Sequence, residues 1–552
     1  MKIPPNKAQS LVYDFIIIGA GAGGLSAAYS LTKQNFKVLL IESGKEYSPE
    51  NYQLDQEDWE KKGFPENFQH QDYYHISDLQ SLDPTLKTLR SWNHRYGLLS
   101  PGKTRRGWKY HHVMGIGGST LHFTGESHRF MPEYLKHSTS SSWPVSYQEL
   151  DNYYHLAENI IGVSGDSSEV PFPKTKPYPL PPHPKSKASQ NLGQGFKFND
   201  LSWTTNPLAV LSKPYKGRPA CNYCNNCNKG CPRQDKGSAD VTFFNEIRSA
   251  DNLHILSDMH CAYIKQTQDK IKSVLAYSKA HEIFEFTAEN FIVSAGPINT
   301  PRLLLLSESK YSPLGLCNDH DLVGKNLIET QMWVSNAINS ENIESYKGLP
   351  SDSICWDFIK PNSIPIATNG CRFTLSVSEA NLVGHINYGK RVVKGWGLQH
   401  KQGIREALGK VIGIAGLSDS HPNKHSKVTL SNSRKDSFNQ PLAEIHSFVS
   451  DQDIEVLKHM ASINRKVLSS MEAKIFEEYG SYDTFSTTQT LGTARMGVSS
   501  SDSVVDQFGR SHRWKNLQIL DSSILPTGAG GAAPSLTIQA LALRATNYRK
   551  LR

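Results

Sequence analysis

Two groups of residues carry types and spacings that could do chemistry. The first is Gly19, Gly21 and Gly24, a G-x-G-x-x-G run that follows the apolar, β-branched segment Asp14–Ile18. Gly19 permits a tight turn, Gly21 lets a pyrophosphate approach the backbone, and Gly24 lets the following helix pack closely on the strand. That helix, expected over Leu25–Lys33, would offer unbonded N–H groups and its positive dipole end to phosphates. A second strand, Lys37–Ile41, ends in Glu42, 23 residues after Gly19, placed to accept hydrogen bonds from ribose hydroxyls. Strand, glycines, helix, strand and terminal acid in one unit predict a dinucleotide site. A glycine-rich turn without a ligand would leave the acid unexplained.

The second group is Cys221, Cys224, Cys227 and Cys231, four of the eight cysteines, within eleven residues. The spacing C-x2-C-x2-C-x3-C-P matches a bacterial iron–sulfur run, in which a tight loop aims thiolates at one cluster. A three-ligand 3Fe–4S or a four-ligand 4Fe–4S centre fits that spacing. Four thiolates also satisfy structural zinc, and a metal-free loop of reduced thiols is the third reading. Cys261, Cys317, Cys355 and Cys371 are scattered singly and read as buried reduced thiols.

Further segments extend the glycine motif into a family resemblance. LGTARMG (Leu491–Gly497) is followed by NLQILDSSILPTGAGGAAPSLTIQALALRA (Asn516–Ala545). GIGGSTLHFTGESHRF (Gly115–Phe130), SWPVSYQELDNYYHLAENIIGVSG (Ser142–Gly165), FIVSAGPINTPRLLLLS (Phe291–Ser307) and LVGKNL (Leu322–Leu327) lie between, in order. Together they resemble the glucose–methanol–choline (GMC) family of FAD-dependent oxidoreductases from about residue 12 to 545. The resemblance implies an α/β fold, a Rossmann-like FAD-binding domain with a mixed α+β substrate domain.

It also implies roles. Gly117, Gly118 and Ser119 would let backbone approach the cofactor, and Gly296 sits in the turn that returns to the FAD domain. Asp521 would place a carboxylate near the pyrophosphate and ribityl chain. Pro534 would begin a helix whose N-terminus faces the flavin's pyrimidine end, where negative charge gathers on reduction. His122 resembles the histidine through which pyranose oxidases of this family attach FAD covalently; a histidine packed beside the ring without a bond is the alternative. Clustered cysteines resemble those of the bacterial gluconate and sugar dehydrogenase branch, which implies electron transfer to an acceptor protein or quinone.

One expected group is missing. The family places a general-base histidine where Gln489 stands here, and its usual partner before the helix proline is Ala533. Glutamine can position a substrate or hydrogen-bond an oxyanion, but it cannot usefully take up a proton. The base could come from His385 or His400, the substrate could need no strong base, or the flavin could serve another reaction. The expected function is oxidation of the CH–OH group of a small alcohol or sugar-like substrate, with hydride passing to flavin N5. The alternatives are an amine or a non-oxidative biosynthetic step, or a catalytically silent FAD-binding subunit.

The elements that must position these residues follow from the rest of the chain. Its 552 residues, 38% hydrophobic and 20% charged, can bury a sizeable core and predict two to four domains. A net charge of +8 in short scattered groups predicts a solvated surface rather than a nucleic-acid stripe. No apolar run is long enough for a membrane span and no secretory signal is visible, which predicts a cytoplasmic enzyme. The FAD domain is expected from segments 12–45, 95–165, 200–330 and 481–552, and the substrate domain over 331–480. Residues 46–94 are expected as a lid or insertion. Residues 166–199 form a Pro-rich excursion, with six prolines in the thirteen residues from Val170.

Overall fold

The computed structural model describes residues 2–47, 74–77, 79–107, 113–136, 143–376, 389, 393–485 and 489–548. The apolar run of the first motif forms β1 (Val12–Ile18), buried along its C-terminal half. It leads through the glycine turn into α1 (Ala22–Lys33) and then β2 (Val38–Ile41). The helix starts three residues earlier than the expected Leu25, because Gly23 and Gly24 let it lie directly on its neighbours. A Cβ on Gly24 would fall 1.9 Å from the Gly19 carbonyl oxygen, and one on Gly23 1.8 Å from that of Leu520.

Four further strands complete the sheet around this unit: β3 (Leu253–Leu256), β4 (Met259–Gln266), β5 (Ile271–Ser278) and β6 (Ile283–Val293). Their order is β3-β2-β1-β6-β5-β4, parallel from β3 to β6 and antiparallel beyond. Fully buried parallel strands read as continuous apolar runs, as β1 and β2 do. The helix α2 (Tyr147–Ile161), opened by a Ser146–Glu149 capping box, packs against the C-terminal helix Ser535–Ala545.

The Pro-rich stretch ends in a helix, α3 (Lys187–Phe198), capped by Ser186, so the excursion is extended only before that cap. After β6 comes α4 (Gly296–Leu306). A second sheet is built on β7 (Ile328–Ile338), β8 (Arg372–Leu375), β9 (Val411–Asp419) and β10 (Lys474–Gly480), in the order β10-β7-β9-β8, all antiparallel. The long amphipathic helix α6 (Asp451–Ser470) covers it, and α5 (Gly397–Ala407) precedes β9. Most of the segment expected as a lid lies outside the described residues. Its described part joins this half: Trp92–Asn93 pairs with β10, and Tyr74–Ile76 pairs with Pro441–His446.

The chain then returns to its beginning. β11 (Leu517–Ile519) adds to β6 in parallel, and α7 (Ser535–Ala545) packs against α1 and α2. Among the described residues no helix is long and apolar enough to cross a membrane.

Candidate active site

A cavity of about 530 Å³ opens at the C-terminal ends of β1, β2 and β6 and extends to the second sheet. Ligands of doubly wound sheets bind at this edge. Gly19, Gly21, Glu42, Gly118, Ser119, His122, Gly296, Asp521, Pro534 and Gln489 all line it, although they come from distant parts of the chain. Gly24 and Gly117 stand behind the lining and act through packing.

The glycine loops explain the convergence. Gly19 has φ +101° and lies so close to Ser294 that a Cβ would sit 2.2 Å from its carbonyl oxygen. Gly118, also left-handed, touches Gly21, 2.8 Å from where its own Cβ would be, so the two glycine segments meet face to face. Glu42 pins them together: Oε2 accepts from the Ala20 amide at 2.8 Å, and Oε1 accepts from Gly44 at 2.8 Å and Gly115 at 3.1 Å. The expected ribose acceptor is therefore first a loop organiser. Burial raises its pKa and these donors offset part of the rise. Asp521 does the same at the other wall: it accepts from the Gly296 amide at 2.9 Å, Thr300 Oγ1 at 2.6 Å and the Ser523 amide at 2.8 Å.

The donor set fits a dinucleotide. A Cβ on Gly21 would meet nothing within 4 Å, so the room before it belongs to a ligand rather than to the protein. Neither α1 nor α7 has a side-chain N-cap, and the starts of both helices, at Gly21–Ala22 and Pro534–Ser535, line the cavity. Their first amides supply donors and positive dipole ends at two points along it.

At the far end stand Gln489, Thr330, Ala533, Arg372 and Glu126. Thr330, at the start of β7, donates its amide and its hydroxyl to the Gln489 carbonyl at 3.1 and 3.0 Å. Arg372, fully buried on β8, forms a bidentate pair with Glu126 at 3.0 and 2.7 Å and donates Nε to the Gly531 carbonyl at 2.6 Å. Burial works to raise the Glu126 pKa, but the Arg372 guanidinium outweighs it and holds the carboxyl below its ordinary value. Asn206 Nδ2 donates to Glu126 Oε1 at 3.1 Å, and His128 Nε2 lies 2.8 Å from Asn206 Oδ1. The Ala533 amide donates to His128 Nδ1 at 3.0 Å, which assigns the proton to Nε2. Burial, assisted by Arg372, pushes this imidazole down to about 4, so it is neutral. A hydrogen-bonded ring thus closes from Gly531 through Arg372, Glu126, Asn206 and His128 to Ala533. Sequence reasoning missed all four side chains. Glu126 and His128 lie within the GESHRF segment, but nothing in one sequence ties them to Arg372.

Of the two histidines considered as alternative bases, His400 lies on α5 and does not line the cavity, while His385 is outside the described residues. His122 does line it. Its Nδ1 lies 2.8 Å from the Asn228 carbonyl and donates to it, which leaves Nε2 as the basic atom.

The expected iron–sulfur centre and its zinc alternative both fall on the loop from Cys221 to Cys231. Among the described residues no three His, Cys, Asp or Glu side chains converge as metal ligands. The reason is local. Cys227 is buried with Leu208, Val210 and Leu349, Cys221 packs against that cluster, and Cys224 is exposed. Burial pushes the Cys221 and Cys231 thiols up to about 12 and about 11, and Cys231 donates to Asp235. The loop also braces the segment that carries His122. The buried Lys236 ammonium donates to the carbonyls of Cys227, Leu121 and Phe123 at 2.7, 2.8 and 3.1 Å.

Fold and cavity are those of a Rossmann-type dinucleotide-binding protein. The GMC oxidoreductase profiles match residues 209–331 and 422–542, and a Rossmann-like NAD(P)-binding profile matches 17–56. The chain is 26% identical to 2-methyl-1,2-propanediol dehydrogenase of Mycolicibacterium austroafricanum, over 97% of this chain and 94% of that protein. It is 27% identical to the fructose dehydrogenase large subunit of Gluconobacter japonicus, over 98% of each. Formate oxidase of Aspergillus oryzae, studied for modification of its FAD, superposes with a TM-score of 0.69 at 13% identity, covering 98% of this chain and 99% of that one. The chain belongs to the GMC oxidoreductase family.

Proposed function

We propose that this enzyme oxidises the CH–OH group of a small alcohol or sugar-like substrate, with hydride transferred to flavin N5. Bound FAD would supply the two-electron acceptor. The observation that carries the reading is the polar far end of the cavity, where Gln489, Thr330, Arg372 and Glu126 face the start of α7. Gly19, Gly21 and Gly118 would hold the pyrophosphate, Glu42 the adenosine side, Asp521 and Gly296 the middle of the cofactor. The α7 N-terminus would stabilise negative charge at the pyrimidine end. A diol and a sugar appear in the names of the two dehydrogenase relatives, which supports a hydroxylated substrate. Gln489 takes no proton in this scheme; its amide orients the substrate, and the hydroxyl proton passes to the Glu126 carboxylate as the hydride leaves. A cluster held by Cys221, Cys224, Cys227 and Cys231 would pass electrons to a separate protein or quinone, and iron and sulfide analysis of the anaerobically purified protein tests it.

Anaerobic mixing of the FAD-loaded enzyme with a panel of polyols, sugars, primary alcohols and amines tests the reading. Bleaching of the flavin by a hydroxyl donor is expected. Bleaching by amines alone, or by no donor, would refute it.

A further inference from the structure

We infer that the Arg372–Glu126 pair is the seat of the substrate's hydroxyl group, a site that takes a neutral hydroxylated compound rather than an anion. The inference deepens the proposed function and rests on it for the reaction, though not for the binding.

The hydrogen-bonding capacity of the two side chains is not used up by the protein. A guanidinium has five N–H donors. Arg372 uses three: Nε to Gly531, and one each from Nη1 and Nη2 to Glu126. Two remain, with no protein acceptor among the described residues, on a side chain only 1% exposed that lines the cavity. Glu126 has capacity left as well. Its Oε1 accepts from Arg372 and Asn206, but Oε2 accepts from Arg372 alone. Each of these atoms has a protein partner, and the capacity left over, facing the cavity, is what a ligand can take up.

That partner must both accept and donate within a single small group, as a hydroxyl does and a carboxylate does not. The pair carries no net charge, so it lacks the pull that a lone arginine exerts on an anion. The ring through Asn206, His128 and Ala533 fixes the pair against the start of α7, so the seat is rigid before anything binds. A hydroxyl oxygen held by the guanidinium would also have its developing negative charge stabilised during oxidation, which compensates for the absence of histidine at Gln489.

The test uses the FAD-loaded enzyme under nitrogen, with glycerol, 1,2-propanediol and fructose as probes, each compared with its O-methylated counterpart. Thermal stabilisation reports binding, and flavin absorbance reports reduction. At least one hydroxyl probe should stabilise the wild type and its ether should not. Arg372→Lys and Glu126→Gln should weaken that binding roughly 10- to 100-fold, the loss of one hydrogen bond to a charged group, with FAD content kept. If either single variant loses its fold, the double variant Glu126→Leu/Arg372→Met reads the same loss, because apolar replacement of a buried pair is tolerated. Unchanged binding in these variants, or no hydroxyl probe stabilising the wild type, would overturn the seat. Stabilisation without bleaching by any probe leaves the seat standing and removes the proposed oxidation instead.

Discussion

Gly21 and Gly24 stand three positions apart in one motif, yet their environments assign them different work. Gly21 faces open cavity, whereas a Cβ on Gly24 would collide with the Gly19 backbone. Gly21→Ala should therefore leave the stability of the FAD-free protein within about 0.5 kcal/mol of wild type, while retention of FAD, read as the ratio of flavin to protein absorbance, falls sharply. Gly24→Ala should cost about 1–3 kcal/mol in the FAD-free protein itself, the penalty of overpacking, visible as a lower melting temperature. Equal behaviour of the two variants would contradict the assignment.

At the scale of elements, two contacts hold the site's walls. Lys236 ties the cysteine loop to the segment 118–123, its ammonium satisfied by three carbonyls and by burial pushed below its usual pKa. Lys236→Met leaves those carbonyls without their donor and should cost roughly 2–3 kcal/mol, the range for hydrogen bonds to a charged group. Denaturant unfolding of the FAD-free protein measures it, and weaker FAD retention should accompany the loss. The second contact caps α6. His421 donates its amide and Nδ1 to Asp453, both at 2.9 Å, and Asp453 also closes the capping box with Ser450. Burial alone would lower the His421 pKa, but the hydrogen bond and charge of Asp453, with help from Asp419, raise it. The folded state thus binds the proton more tightly than the unfolded one. Its stabilisation is fully present below about pH 6.5 and is lost as pH rises through the higher folded value. Melting temperatures of wild type and His421→Asn should accordingly differ most just below about pH 6.5 and draw together as pH rises above it.

For the whole molecule, the decisive fact is that the site exists only where the two sheets and the two chain ends meet. Arg372 reaches from β8 to Gly531, Asp419 of β9 accepts from the amides of Gly528 and Gly531, and Arg105 pairs with Glu329 beside β7. These buried groups are satisfied across the boundary, so separating the halves would strand them, at a cost of about 3–5 kcal/mol for a broken ion pair such as Arg372–Glu126. Release of FAD fluorescence and loss of far-UV circular dichroism should therefore coincide in one thermal transition. Two well-separated transitions would mean that the halves melt independently. A chain cut after residue 515 should fail to retain FAD, because it lacks β11 and α7 and leaves β6 with an unpaired edge.

The sequence by itself determined what depends on local geometry. A β-branched run, glycines at fixed offsets and an acid at a strand end dictate β1, the turn, α1 and β2, since each demand is met within about thirty residues. The residues around Gly118, Asp521 and Pro534 were legible through family resemblance, and the fold brings them to one cavity. The tertiary structure alone decided the rest. Spacing aligns cysteines along a loop, but side-chain packing decides whether sulfurs converge, and here Cys227 serves an apolar cluster while Cys224 faces out. Glu126, Asn206 and Arg372 lie 80 and 246 residues apart along the chain from the first to each of the others. Only folding joins them, because a buried charge must find its partner wherever the chain brings one within reach.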